Sequence, residues 1–156
     1  MKTHDFAEIE TEFMARVNAM VWCNVATIDS QGRPRSRILH PLWEGATAWI
    51  TTDPLSYKSR HLARRPYVSL AYVSDVAKPA YADCFAEWVN DSRIKQHVWD
   101  LCLQFPPPIG FDPAPIYGTP ETPGDGQRQF GVLRLTPYRI QLVQWPAPPF
   151  IWTPAD

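Results

Sequence analysis

The residues best suited to chemistry in this chain are cations. Arg33, Arg35 and Arg37 alternate through G-R-P-R-S-R-I-L, so on an extended strand their side chains share one face. A second cluster, Lys58, Arg60, His61, Arg64 and Arg65, lies in S-Y-K-S-R-H-L-A-R-R-P, a short stretch of helical period that Ser56 would cap and Pro66 would stop. Lys58 falls in the first turn, where the positive end of the helix dipole opposes a cation by about 0.3–1 kcal/mol. An anion docked at the helix start would explain a lysine there. Free backbone N–H groups, the Ser56 hydroxyl and Lys58 would converge on it, and the Arg37 guanidinium would add a bidentate clamp. The competing reading is a solvated basic helix face beside an edge strand protected by arginines.

Other chemistries are poorly represented. There is no Gly-rich phosphate loop and no G-x-S-x-G nucleophile elbow. His4, His40, His61 and His97 lack the paired spacing of a zinc helix, and Cys23, Cys84 and Cys102 are too few and too scattered for a disulfide framework or a Cys-rich metal site. No metal is expected. A net charge of −1, from 15 Lys+Arg against 16 Asp+Glu, argues against a dedicated nucleic-acid binder. No run of about 18 apolar residues exists to span a membrane. The start M-K-T-H-D-F-A-E-I-E-T-E-F carries acids where a signal peptide needs an apolar run, so a cytoplasmic protein with buried free thiols is expected.

The elements that must position the cations read as follows. The 156 residues suit a single domain over 1–156. Phe6, Ile9, Phe13 and Val17 form one stripe of a helix over 5–20, leaving Glu8, Glu10, Glu12 and Arg16 to face water. Strands over 22–29, 34–43 and 47–53, joined by short turns, predict an antiparallel meander. The short helix over 56–66 comes next, then strands over 67–74 and 81–89 and a helix over 91–105 capped by Asp91 or Ser92. Residues 128–145 supply two more strands. Of 17 prolines, seven fall between Phe105 and Gly124 and more crowd W-P-A-P-P-F-I-W-T-P, so 105–126 and 146–156 read as ordered loops, neither helix nor sheet. The fold class is mainly β: six or more mostly antiparallel strands in a barrel with short helices at its ends.

The order G-x-P-R-S-R-I-L, a turn at Glu44-Gly45, then W-I-T-T-D-P-L-S-Y-K-S-R-H-L-A-R-R-P-Y-V-S-L-A-Y resembles the pyridoxamine 5′-phosphate oxidase-like family of FMN-binding split barrels. The similarity is close over about 20–75 and looser over 80–145. It implies that Arg37, Ile38 and Leu39 follow the cofactor's phosphate and ring edge, and that Thr51 and Thr52 lie under the isoalloxazine or ribityl chain. It further implies that Tyr57 and Lys58 hold the phosphate with Arg35 and Ser56 as helpers, and that Lys78 reaches the cofactor. The family pairs two subunits to build two sites, so a homodimer is implied as well.

The implied function is a flavin-dependent oxidoreductase acting on a small substrate, with the proline loop and aromatic tail lining the pocket. Pyridoxamine phosphate oxidases carry an Arg-x-His substrate motif after the last strand pair. Here Q-W-P-A-P-P-F-I-W-T-P-A-D has neither residue, so pyridoxamine phosphate is not the expected substrate. Val143 stands where the family has a Trp, with Trp145 two residues on. Two alternatives use the same barrel. One is a deazaflavin-dependent reductase whose coenzyme's longer acidic tail recruits Arg60, Arg64 or Arg65. The other is a non-catalytic module for flavin or haem.

Overall fold

The computed structural model describes residues 1–155. Lys2–Thr3 (β1) leads into helix α1, Ala7–Ala19, which buries Ile9, Phe13 and Val17 as their spacing requires. Asp5 Oδ1 accepts the Ala7 N–H at 3.0 Å and so satisfies one of the helix's unpaired donors. Arg16 departs from expectation. It is buried rather than facing water, bridged to Glu12, and its guanidinium donates to the Lys78, Pro79 and Val143 carbonyls at 3.1, 3.1 and 2.6 Å. Three carbonyls at strand ends offered more to a guanidinium than water did, and they pin α1 to the sheet.

Strands β2 (Cys23–Ile28), β3 (Pro34–Leu39), β4 (Leu42–Glu44) and β5 (Thr47–Thr52) follow. The strand expected over 34–43 breaks at His40-Pro41, where Pro41 brings no N–H to a ladder. The break also undoes the meander. β2 pairs antiparallel with β3 and β4 with β5, but β3 does not pair with β5.

Helix α2 (Tyr57–Arg64), β6 (Tyr67–Tyr72), β7 (Ala80–Val89) and α3 (Ser92–Gln104) come next. Asp91 caps α3 by accepting from the Arg93 and Ile94 N–H groups. The proline-rich segment, expected to be neither helix nor sheet, holds one helical turn, α4 (Ala114–Tyr117). β8 (Gly131–Gln144) is one strand of 14 residues where two were expected. Pro137 is tolerated because it stands where the β7–β8 register slips, and Tyr138 is the extra residue there.

The tail is the largest correction. Ala147–Trp152 forms strand β9, antiparallel to β8 and parallel to β1. Pro148 and Pro149 fall at a second irregularity in register, so their missing donors cost the ladder little, and Trp152 gains a buried position.

The sheet path is β1-β9-β8-β7-β6-β2-β3, with β5 on the other half of β8 and β4 beyond it. The fold is a mainly β split barrel left open between β3 and β5. Phe13, Val25, Trp43, Leu70 and Leu133 fill its interior, where Trp43 Nε1 donates to the Tyr72 hydroxyl at 2.9 Å. A second core joins α3 and the proline-rich segment to β5 and β8, with Phe130 edge-on to both Trp99 and Tyr117 at 5.1 and 5.2 Å. Cys23, Cys84 and Cys102 are buried free thiols, and burial pushes those of Cys23 and Cys102 up to about 12. No described helix is long and apolar enough to cross a membrane.

Candidate functional site

A cavity of about 600 Å³ lies where the ends of β3 and β5 approach without pairing. Leu39 and His40 contribute from the β3 end, Thr51 and Thr52 from β5, and Lys58 from α2. The proline-rich segment forms the facing wall with Phe111 and Tyr117, and Arg128 follows just before β8. Gly131 permits this arrangement. A Cβ there would sit 2.5 Å from the Thr52 carbonyl oxygen and 2.6 Å from Pro54 Cγ, so β8 can begin this close to the end of β5 only with glycine.

The turn from β5 into α2 is self-contained. Asp53 Oδ1 accepts the Leu55 N–H at 2.9 Å, and the Asp53 carbonyl accepts the Ser56 N–H at 3.2 Å. Ser56 holds the N-cap position in extended geometry, yet its hydroxyl bonds Ser59 at 3.2 Å and caps nothing. The first N–H groups of α2 therefore carry no side-chain partner.

Three cations gather at this place, where Asp53 and Asp112 also line the cavity. Among the described residues, none of Arg37, Lys58 and Arg128 is in a salt bridge. Burial holds the Lys58 ammonium below the usual lysine range; the charges of Arg37 and Arg128 add to this and Asp53 opposes it. Arg37 is depressed by burial, and its Nη1 is closed off from solvent with no hydrogen-bond partner. Buried polar atoms are satisfied in nine cases of ten or more, and an unpaired charged donor is the costliest exception. Tyr117 is pushed up by burial, with the Thr51 hydroxyl and the Arg128 charge working against that.

The expected site residues divide. Leu39, Thr51, Thr52 and Lys58 line the cavity, with Arg37 beside it. Arg35 does not join them: its Nε donates to Asp29 Oδ2 at 3.1 Å, as does that of Arg33. Ile38 points to the other face of β3, and Tyr57 is exposed beneath the Arg60 guanidinium. Lys78 is exposed in the Asp75–Lys78 turn, outside the cavity. The aromatic tail, expected to line the pocket, is absent from the lining because it is committed to the sheet as β9.

The family model for pyridoxamine 5′-phosphate oxidase matches residues 9–104, more than half of the chain. The chain belongs to the pyridoxamine 5′-phosphate oxidase-like family. No curated protein matches the sequence. In fold, this family member is similar to an FMN-binding protein related to pyridoxamine 5′-phosphate oxidase from Nostoc punctiforme, at 15% identity and TM-score 0.62 over 93% of this chain and 86% of that one. It is also similar to a NimC/NimA family protein of Clostridium acetobutylicum, at 11% identity and TM-score 0.70 over 94% and 92%. A haem-binding protein of Mycobacterium smegmatis shares the fold at 14% identity and TM-score 0.62, this chain covering 58% of its length. At such identities the likenesses concern the fold alone.

Sequence reasoning missed Trp22, His40 and Arg128, which line the cavity, and reached Phe111 and Tyr117 only through the proline loop as a whole. Arg128 stands alone after a long proline-rich stretch, where no period or cluster flags it. His40 was weighed only as a metal ligand, whereas its place after the Arg37 strand and before Pro41 was the available signal.

Proposed function

We propose that the cavity binds flavin mononucleotide and that the protein is an oxidoreductase acting through that flavin on a small substrate. One observation carries the reading: the unpartnered Arg37 Nη1 stands beside Lys58 in a cluster of three cations, none of which is in a salt bridge among the described residues. A phosphate dianion offers both groups acceptors and cancels their repulsion. The uncapped start of α2 adds backbone donors to the same anion. Leu39 and the aromatic wall suit a flat ring, and Thr51 and Thr52 suit a polyol chain. When bound, the flavin supplies the hydride and electron chemistry, while the chain's own residues hold the phosphate and shield the ring from water.

Flavin mononucleotide is preferred to a deazaflavin with a longer acidic tail. Arg60 and Arg64 line a separate cleft, and Arg65 Nη1 donates to the Asp29 carbonyl at 2.6 Å. A second copy of the chain completes the proposed site, as the family resemblance implies, and gives Lys78 and Ile38 a surface to meet. Haem is the second reading, favoured by the unpartnered Nε2 of His40 at the cavity.

Titration with flavin mononucleotide and with riboflavin, which lacks the phosphate, tests the assignment. Lys58→Ala and Arg37→Ala should each weaken flavin mononucleotide by about 1.5–3 kcal/mol, roughly 10- to 150-fold, and leave riboflavin nearly unchanged. Equal affinity of the wild type and both variants for flavin mononucleotide overturns the phosphate site. Reduction of the bound flavin by NADPH, followed in its visible absorbance, tests the oxidoreductase half.

A further inference from the structure

Two side-chain nitrogens among the described residues are closed off from solvent and lack any hydrogen-bond partner: Arg37 Nη1 and His40 Nε2. They lie three residues apart, Arg37 near the end of β3 and His40 one residue beyond it. The first is accounted for by the proposed phosphate. The second has no part in that reading, yet His40 lines the same cavity.

The surroundings of His40 define what it can do. Its ring lies between two others, Trp22 at 5.0 Å and Phe111 at 5.6 Å between centroids, tilted by 47° and 41°. Burial lowers its basicity, so at neutral pH the imidazole carries one proton. With that proton on Nδ1, the closed-off Nε2 faces the cavity as an acceptor. Nε2 keeps a bare lone pair, an acceptor with nothing to accept from. Of the two covering rings, Trp22 is 58% exposed at the cavity mouth and can yield to an entering ligand.

We propose that His40 is a ring-recognition residue whose Nε2 accepts a hydrogen bond from an N–H on the edge of a flat heteroaromatic ligand. In a flavin that donor is the imide N3–H, set between two carbonyls at the end of the isoalloxazine remote from the phosphate chain. The inference rests on the flavin reading above and adds to it a second anchor at the opposite end of the ligand. Arg37 and Lys58 grip the phosphate while His40 fixes the ring. The same contact selects against flat rings that carry only acceptors along that edge.

The test compares flavin mononucleotide with its N3-methyl derivative, which keeps the ring and phosphate but has no N3–H. Wild-type protein should bind the parent about five- to tenfold more tightly. His40→Phe preserves the aromatic stack and should bring that ratio to about one, and His40→Gln, which restores an acceptor oxygen, should recover part of it. Should the phenylalanine variant fail to fold, His40→Leu serves the same purpose. An unchanged ratio in the acceptor-free variant, or no preference in the wild type, overturns the role of His40 and leaves the phosphate site standing. Failure of both flavins to bind wild-type protein overturns the flavin reading and this inference with it. A haemin titration run alongside overturns the inference differently: a Soret shift lost in His40→Phe would make the imidazole an iron ligand.

Discussion

Lys58 is a lysine whose charge is unwelcome until an anion arrives. Burial and the neighbouring Arg37 and Arg128 all disfavour its protonated form. A bound phosphate reverses the balance by cancelling the local positive field, so ligand and proton bind Lys58 with mutual reinforcement. The sign of the pH dependence follows. On the acid side, affinity for flavin mononucleotide should fall as the phosphate loses its second charge, near pH ~6. On the alkaline side it should fall as Lys58 deprotonates, beginning below the ~10.4 of an unperturbed lysine. Lys58→Arg, which stays charged, should move the alkaline limit upward. Calorimetric titration across pH 5–10 with both proteins checks this, and superimposable alkaline limbs would remove Lys58 from the site. Arg128 is the outermost and most exposed of the three cations. Arg128→Leu should therefore weaken flavin mononucleotide by only about 0.5–1 kcal/mol while leaving riboflavin unaffected.

At the level of elements, the site depends on a close approach between strands distant in sequence. Thr52 pairs with Gly131 in the β5–β8 ladder, and that pairing places the start of α2 against the beginning of β8. Gly131→Ala inserts a methyl group against the Thr52 carbonyl and Pro54. It should destabilise the fold by about 1–3 kcal/mol, the scale of overpacking, and weaken flavin mononucleotide binding beyond what the lost stability explains. Chemical denaturation and ligand titration of the folded variant separate the two effects. The same pairing marks the limit of what local pattern reveals. The α1 stripe, the Asp91 cap, the α2 cations and the strand periods are readable because they depend on neighbours within about four residues. The partner of β5 is not, because a strand's alternation tells which face is buried and nothing of which strand lies beside it. Proline content misled in the tail for a related reason. A missing N–H forbids one ladder bond, but register shifts at Leu142/Gln144 let β9 form around Pro148 and Pro149. Arg37 and Lys58 were legible because they sit in runs, whereas Arg128 reaches the cavity by tertiary placement alone and His40 is marked only by its place between the Arg37 strand and Pro41.

The whole molecule carries a surface that a lone chain leaves unexplained. Tyr67, Phe85 and Tyr138 meet edge-on across β6, β7 and β8, with Tyr67 6.0 Å from each of the others, yet they remain 54%, 40% and 45% exposed. The register runs Ile38↔Asn24↔Ala71, and Ala71 is four residues from Tyr67, so Ile38 at 61% exposure shares that outer face. Clustered exposed aromatics of this kind mark association surfaces more often than solvent faces. Ile38 is also the immediate neighbour of Arg37, so a copy docked on this face would lie next to the proposed phosphate site. The proposed homodimer uses this face. Phe85→Glu and Ile38→Glu should each shift the protein from dimer to monomer in sedimentation velocity, because a charge would be desolvated at the interface. Trp145→Ser removes a ring that is 76% exposed but sits beyond the end of β8, and it should leave the dimer intact. If association builds the site, flavin mononucleotide affinity should fall with dimer population in the two glutamate variants and rise with protein concentration. A wild-type protein that sediments as a monomer at high concentration while binding flavin tightly would make the cavity of a single chain sufficient and the aromatic face an accessory to something else.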